Sequence, residues 1–452
     1  MRSADATVPE SVARVRGAVL DALSAHATIG ASIAVALSGG RDSVALLDAL
    51  VDTAKARDHR LLAIHVHHGL SPNADAWAHF CTELCAAIGV RLIVRRVHVA
   101  RKSRTGDESE ARIRRYAALT EAAQESDTRC VILGHHRDDQ AETLLIQLLR
   151  GAGPHGLAGM ASARSDERGM TWLRPLLDLS RTTIDAYVTH RKLRWVDDES
   201  NASHAHLRNA VRHTVLPALA RVHPASGKAL ARAAGHQAEA ARLADDLAEL
   251  DARGACYGTT LDRVILATLP LHRARNLLRW FLRRQSLPAP SAARLAAMLD
   301  QLRSPREDLK VRLLHAGVEL GVHHGRIVIH RRAPIAFDVA WSGEAFVMLP
   351  HGRLLFRHAQ GTGVALDLLS RAPVRVRSRG GGERFQLASD RPRRALKSIL
   401  QEAGIPPWER AALPLVFCGD VLAAVAGLAI DADFRATSGA PGILLEWQPR
   451  SM

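Results

Sequence analysis

The first half of the chain repeats one pattern. A short apolar run is followed by a turn of glycine or polar residues, then by a longer stretch whose apolar positions recur every three or four residues. The short runs predict strands at 31–37 (ASIAVAL), 61–66, 92–97, 130–133 and 170–173. The longer stretches predict helices over 42–55, 75–88, 108–125 and 138–149. Alternation with short links implies an α/β fold built on a doubly wound, Rossmann-like parallel sheet. Ligands of such sheets lie beyond the carboxyl ends of the strands.

Helical spacing continues through 181–193 and 207–222. Residues 226–332 are rich in Ala, Leu and Arg at helical spacing and predict a mainly helical second domain, ending in strand-like runs such as 326–329. Residues 334–371 read as hairpins or a linker. The stretch 374–447 predicts a small α+β unit: a strand (VRVRSR), a Gly-Gly-Gly turn, a basic segment, a helix over 395–403 and a late hairpin. The expected domains are therefore 1–222, 223–333 and 334–452.

Composition narrows the class. Of 452 residues, 47% are hydrophobic, and no apolar run is long enough to span a membrane. The N-terminal MRSADATVPESVARVRGAVLDALSAH has the pattern of a charged amphipathic helix and lacks a secretory signal's apolar core, so a cytoplasmic location is expected. Net charge is +15, and only six of the 61 basic residues are Lys. Arg grips phosphate bidentately and stacks on bases, so the charge points to a polyanion such as nucleic acid; a compositional Arg and Ala bias is the plainer alternative. The five cysteines form no Cys-x-x-Cys, which argues for a reduced protein without a zinc or iron–sulfur site.

The most distinctive turn is Ser38-Gly39-Gly40-Arg41-Asp42-Ser43, directly after the first strand. Glycines let the backbone present its N–H groups, and a helix start adds a positive dipole end, which together suit phosphate. Ser38 and Ser43 add hydroxyls, and Asp42 can face a magnesium ion. The turn is neither GxGxxG nor the Walker loop. The second strand ends in His65-Val66-His67-His68, without acidic or Cys partners at metal-ligand spacing. In Glu108–Tyr116, Arg112, Arg115 and Tyr116 share a helix face, and Arg112 lies near enough to the helix start to approach the crevice. The fourth strand runs into Gly134-His135-His136-Arg137-Asp138-Asp139, a candidate acid–base and cation site in which one Asp could be only a helix cap. A glycine-rich loop at 149–160, an acidic loop at 197–201, and Arg208 and Arg212 on one helix face complete the set.

SGGRDS resembles the pyrophosphate (PP) loop of the N-type ATP pyrophosphatases. In order, SGGRDS, HVHHGLSPNADAW, EARIRRY, LGHHRDDQAET, LLRGAGPHGLAGM, RPLLDLSR, DDESN and RNAVRH are similar to the motifs of the tRNA(Ile)-lysidine synthases, over roughly residues 30–220. The stretch RGGGERFQ…RALKSILQEAGIPPWERAALPLVFCGDVLAAVAGLAID resembles that family's last domain. His67 departs from the Asn expected there.

The resemblance implies a ligase using ATP, Mg2+ and free L-lysine on the CAU-anticodon tRNA(Ile). The wobble cytosine is adenylated on the oxygen of carbon 2, pyrophosphate leaves, and lysine then displaces AMP. Ser38, Gly39, Gly40, Arg41, Asp42 and Ser43 would bind ATP, with Asp42 organising magnesium. Asp139 would bind or deprotonate the lysine amine, with His135 as the second choice of base. Arg112 and Arg208 would steady phosphate. Arg391, Arg393, Arg394 and Lys397 would contact the tRNA backbone, with acidic residues mostly elsewhere. A second copy of the chain stays open as a partner. A tRNA-thiolating enzyme, an amidotransferase-type synthetase and an inactive tRNA-binding module are the rival readings. The missing cysteine pair, the basic tail, and the intact loop with its Asp pair count against them in turn.

Overall fold

The computed structural model describes residues 9–69, 71–97, 107–166, 168–197, 207–304, 311–331 and 336–449. They divide into two compact units at 244/245. In the first unit, α1 (Glu10–His26) precedes β1 (Ser32–Ala36), α2 (Arg41–Ala56), β2 (Arg60–His67), α3 (Ala74–Ala87), β3 (Arg91–Arg96), α4 (Asp107–Glu125), β4 (Cys130–Ile132) and α5 (Arg137–Leu149). The short α6 (Pro154–Leu157), β5 (Ala163–Ser165), β6 (Thr171–Leu173) and α7 (Arg181–His190) follow. The strands form one sheet in the order β3-β2-β1-β4-β6-β5, parallel except for β5, which the sequence reading missed.

Side-chain alternation sorts the sheet's two faces. Ile33 and Val35 of β1, Cys130 and Ile132 of β4 and Leu173 of β6 enter a core shared with α1, α2, α3 and α7. Their neighbours Ala34, Val131 and Trp172 enter the opposite core, against Leu119, Ala122 and Ala123 of α4. With both faces covered, the functional residues fall at the strand ends. The chain winds one way from β1 to β2 and the other way to β4, so β1 and β4 flank the topological switch point.

The helix predicted over 207–222 is one rod with an irregular middle: α8 (Leu207–Ala210), a π-turn (Val211–Val215) and α9 (Leu216–Val222). A long α10 (Ser226–Ala252) contains the division between the units.

The start of the second unit adds a sheet to its helices, of which the sequence reading anticipated only the last run. Strands β7 (Cys256–Tyr257), β8 (Thr260–Asp262), β9 (Arg312–His315), β10 (Val318–His323) and β11 (Arg326–Arg331) form a five-stranded sheet. Against it pack α11 (Arg263–Thr268), α12 (Leu271–Arg284) and α13 (Ala292–Arg303), burying Leu277, Phe281, Met298 and Leu320. The candidate linker is also core structure. Asp338–Trp341 joins Val374–Arg377 in one sheet, while Phe346–Leu349 and Gly352–Gln360 form another with Pro441–Pro449. Leu354, Phe356, Val376 and Val416 fill the space between them. The basic segment leads into a helix at Leu396–Glu402, as expected. Trp408 stacks on His330 at 4.1 Å and lies so close to Gly321 that a Cβ there would meet its ring at 2.6 Å.

Candidate active site

The turn after β1 is built by its own residues. Gly39 has φ +89°, a conformation that favours glycine, and a Cβ on it would lie 2.9 Å from Val196. The Ser43 hydroxyl donates to the Gly40 carbonyl (2.8 Å) and accepts from the Ser38 amide (3.2 Å). Both serine hydroxyls, 3.0 Å apart, therefore brace the loop. The Gly40 amide also bonds Ser38 Oγ (3.3 Å), and the first turn of α2 presents the N–H groups that suit an anion. The Val196 amide donates to the Gly39 carbonyl (3.0 Å), laying the 194–197 segment on the loop.

The turn after β4 comes up against it. A Cβ on Gly134 would sit 3.1 Å from the Asp42 carbonyl oxygen, so glycine there lets β4 end against the start of α2. His136 is buried among three carboxylates, with Nε2 3.6 Å from both Asp42 and Asp139 and Nδ1 3.7 Å from Asp138. Burial works against its charge, but the bond to Asp42 and the three negative charges hold its pKa above the ordinary imidazole value. Burial likewise raises the Asp42 carboxyl, yet His136 and Arg41 outweigh it and keep Asp42 ionised. Arg41 donates to Asp42 Oδ1 through Nε (3.1 Å), with Nη2 also within ion-pair distance of it (3.0 Å), while its Nη1 meets Asp185 of α7 at 2.6 Å.

Asp138 and Asp139 separate in role. Asp138 accepts the Arg181 amide (2.9 Å) and so caps the start of α7. Asp139 accepts the His136 amide on Oδ2 (3.0 Å), and its Oδ1 faces Arg208 (2.9 Å) and Arg212 (3.3 Å). Glu142, one turn further along α5, completes the group: Arg208 Nε reaches it at 2.8 Å and Arg212 Nε at 2.5 Å. Two carboxylates thus face two guanidiniums, and Glu142 is 1% exposed. Burial opposes ionisation of Asp139, but His136 and Arg208 keep its pKa below the carboxylate norm. Glu142 was not singled out from the sequence, and His136 and Arg212 stood in their motifs without an assigned role. The signal for Glu142 was its spacing, i, i+3 from Asp139 on α5, facing Arg208 and Arg212 at i, i+4. The π-turn begins between the two arginines, an irregularity frequent at functional sites.

The other candidates lie as follows. Burial, with Arg174, Arg115 and Arg208 nearby, outweighs Asp139 and holds His135 neutral, far below the usual imidazole pKa. That counts against His135 as a base toward an ammonium group. Arg112 is exposed and sits over the Tyr116 ring at 5.2 Å. His67 makes a polar strand-end contact, 3.2 Å from Asp75. The glycine-rich loop is pinned at Met160, whose amide and carbonyl both bond the Gln140 side chain at 2.7 Å. The acidic loop lies outside the described residues from 198 onward.

The expectation that the basic C-terminal segment stands apart from acids needs correcting. Arg393 pairs with fully buried Asp431 (3.1 Å) and with Asp433 (2.6 Å), and Arg394 pairs with Glu402. Arg391 and Lys397 are exposed and have no side-chain ion pair among the described residues.

The donor set fits a metal-bound polyphosphate. Gly39 lets the loop pack against Val196 and Gly134 lets the second turn pack against the start of α2, which brings Asp42, a hard oxygen donor, beside the loop. No group of three or more His, Cys, Asp or Glu among the described residues could hold a metal. A single carboxylate suits Mg2+ shared with substrate phosphates.

Comparison with known proteins agrees with this geometry. Residues 18–219 match the family described as PP-loop domain, 261–328 the TilS substrate binding domain, and 374–447 the TilS substrate C-terminal domain. The chain is 42% identical over 419 residues to tRNA(Ile)-lysidine synthase of Azoarcus sp. (strain BH72), covering 92% of this chain and 91% of that one. It is 39% identical to the Nitrosomonas europaea enzyme of the same name, covering 94% of each. A relative from Alkalilimnicola ehrlichii is 41% identical, covering 90% of this chain and 91% of its own. An Arg-rich chain with SGGRDS after β1, LGHHRDDQAET after β4 and this arrangement of domains belongs to the tRNA(Ile)-lysidine synthase family.

Proposed function

We propose that the protein is an ATP-dependent ligase that joins free lysine to carbon 2 of the wobble cytidine in the CAU-anticodon tRNA(Ile), releasing AMP and pyrophosphate. The observation that carries the reading is the meeting of two turns at the switch point. The phosphate-type loop after β1 and the charged group after β4 are near enough that Gly134 has no room for a Cβ beside Asp42. Oxygen 2 of the cytosine attacks the α-phosphate of ATP, and the loop amides hold the departing pyrophosphate. Magnesium, when bound, neutralises phosphate charge. Asp42 is the residue placed to face it.

The second step uses the group on α5. Free lysine carries both an ammonium and a carboxylate, the same charges that Asp139, Glu142, Arg208 and Arg212 already pair among themselves. Lysine enters by exchanging partners with this set and is held there for attack by its ε-amine. Asp139 is then a positioning group. Its carboxyl is held ionised and His135 is held neutral, so neither draws the amine proton strongly, and water takes it. On this reading Arg208 serves lysine, whereas Arg112, exposed on α4, remains the candidate for a phosphate.

The tRNA needs cations that are not already neutralised. Arg391 and Lys397 meet that condition. So do Arg275 and Arg279 of α12, a helix with five arginines and no acid. Its Arg273 and Arg283 pair with Asp251 and Asp245, while Arg275 and Arg279 are exposed without ion-pair partners among the described residues. They lie with His272 on one face at i, i+3 and i+7, suited to an RNA backbone.

ATP–pyrophosphate exchange in the presence of tRNA, compared with full turnover, tests the division of labour. Asp42→Asn is expected to abolish both. Asp139→Asn is expected to retain exchange and lose lysine transfer. Loss of exchange in Asp139→Asn as complete as in Asp42→Asn would reject it.

A further inference from the structure

The fourth residue of the phosphate-type loop, Arg41, has both of its neighbours occupied. Its guanidinium donates to Asp42 Oδ1 from Nε at 3.1 Å and keeps Nη2 at 3.0 Å from the same oxygen, while Nη1 holds Asp185 Oδ1 at 2.6 Å. The other Asp42 oxygen lies 3.6 Å from the His136 imidazole. Both oxygens of the carboxylate that would meet a metal therefore already face positive groups, one tethered to the adjacent residue.

Asp185 is a firm anchor. Its helix, α7, is fixed to α2 because Asp48 accepts the Tyr187 hydroxyl (2.5 Å) and both Nε (2.9 Å) and Nη2 (3.0 Å) of Arg191. The start of α7 is held by Asp138, which accepts the Arg181 amide. Arg41 is only 15% exposed in its side chain, whereas Asp185 is 45% exposed. The guanidinium can thus let go of Asp42 without losing its second partner.

We propose that Arg41 is a positioning residue that stands in for the metal. It holds Asp42 in the ligand-free enzyme and withdraws to Asp185 when the metal–nucleotide complex arrives. A divalent ion alone must compete with a tethered guanidinium. Accompanied by a polyphosphate it brings contacts to the loop amides that offset the exchange. Arg41 thereby couples cation binding to nucleotide binding, and this coupling is reciprocal by linkage. The inference rests on the reading of Asp42 as the metal-facing carboxylate.

The test is Mn2+ binding to the full-length protein, followed by electron paramagnetic resonance, with and without ATP and in the absence of tRNA and lysine. Wild type is expected to bind free Mn2+ weakly and Mn2+ with ATP much more tightly. Arg41→Met is expected to bind free Mn2+ about tenfold more tightly, the scale of removing one competing charge at a partly buried site, and so to lose about tenfold of the coupling. Arg41→Lys keeps the charge and should stay near wild type. Asp185→Asn removes the fallback partner, so ATP-dependent Mn2+ binding should weaken while free Mn2+ binding does not improve. A merely structural Arg41 would shift melting temperature and leave the coupling unchanged. Equal free-Mn2+ affinity in wild type and Arg41→Met, with Asp42→Asn still weakening Mn2+–ATP binding, would overturn the stand-in role alone. If Asp42→Asn leaves Mn2+–ATP binding intact, the reading of Asp42 fails as well.

Discussion

Glu142 is the most enclosed charge of the site, 1% exposed, with a guanidinium on each carboxylate oxygen. Glu142→Ala leaves Arg208 and Arg212 sharing Asp139, and should cost about 3 kcal/mol, the scale of breaking a buried pair from one side. Urea unfolding checks this; a loss no larger than for an exposed ion pair would reject it. His136 supplies a pH signature. Its pKa is raised in the folded protein, so its stabilising contribution is full below the ordinary value of 6.5 and is lost as pH climbs through the folded value. The melting-temperature advantage of wild type over His136→Asn should therefore shrink as pH rises above 6.5. An advantage that grows with pH would contradict the assigned charge. At this scale the sequence displayed the right residue types but not their partners. Asp138 and Asp139 are adjacent and look equivalent, yet one caps α7 and the other meets two arginines about 70 residues away.

At the scale of elements, the parallel sheet was legible because its central strands β1, β2 and β4 are apolar runs buried along most of their length and each helix has clear spacing. The sheet of the second unit was not. Its strands β7 and β8 span only Cys256–Tyr257 and Thr260–Asp262, too short to show alternation, and they adjoin helices of far stronger pattern. The Gly134 contact explains the glycine of LGHH: β4 must end against the backbone at the start of α2. Gly134→Ala places a Cβ 3.1 Å from the Asp42 carbonyl oxygen, and neither backbone has a flexible end to yield. The expected result is a raised KM for ATP with a smaller change in the KM for lysine, read from steady-state kinetics. Unchanged ATP kinetics would show that the two turns need not meet so closely.

At the scale of the molecule, a chain of net charge +15 neutralises many of its arginines internally, so charge in the sequence overstates charge available to RNA. Arg393 and Arg394 illustrate it: the acids that hold them lie up to 40 residues away and only the fold brings them together. Arg275→Ala/Arg279→Ala should reduce the log–log salt slope of tRNA binding by about 1.4 to 1.8, two phosphate contacts' worth. Arg393→Ala should mainly lower stability, because it uncovers the buried Asp431. Filter binding across a salt series, with thermal melts, separates the two; an unchanged slope in the α12 variant would remove that helix from the interface. The central claim is ligation itself, and its most direct test is incubation with ATP, magnesium, labelled lysine and CAU-anticodon tRNA(Ile), followed by nucleoside mass analysis and nucleotide separation. The account predicts one lysine on the wobble cytidine for each AMP and pyrophosphate released, and none without ATP. ADP and phosphate as products, or AMP release without lysine in the tRNA, would contradict it.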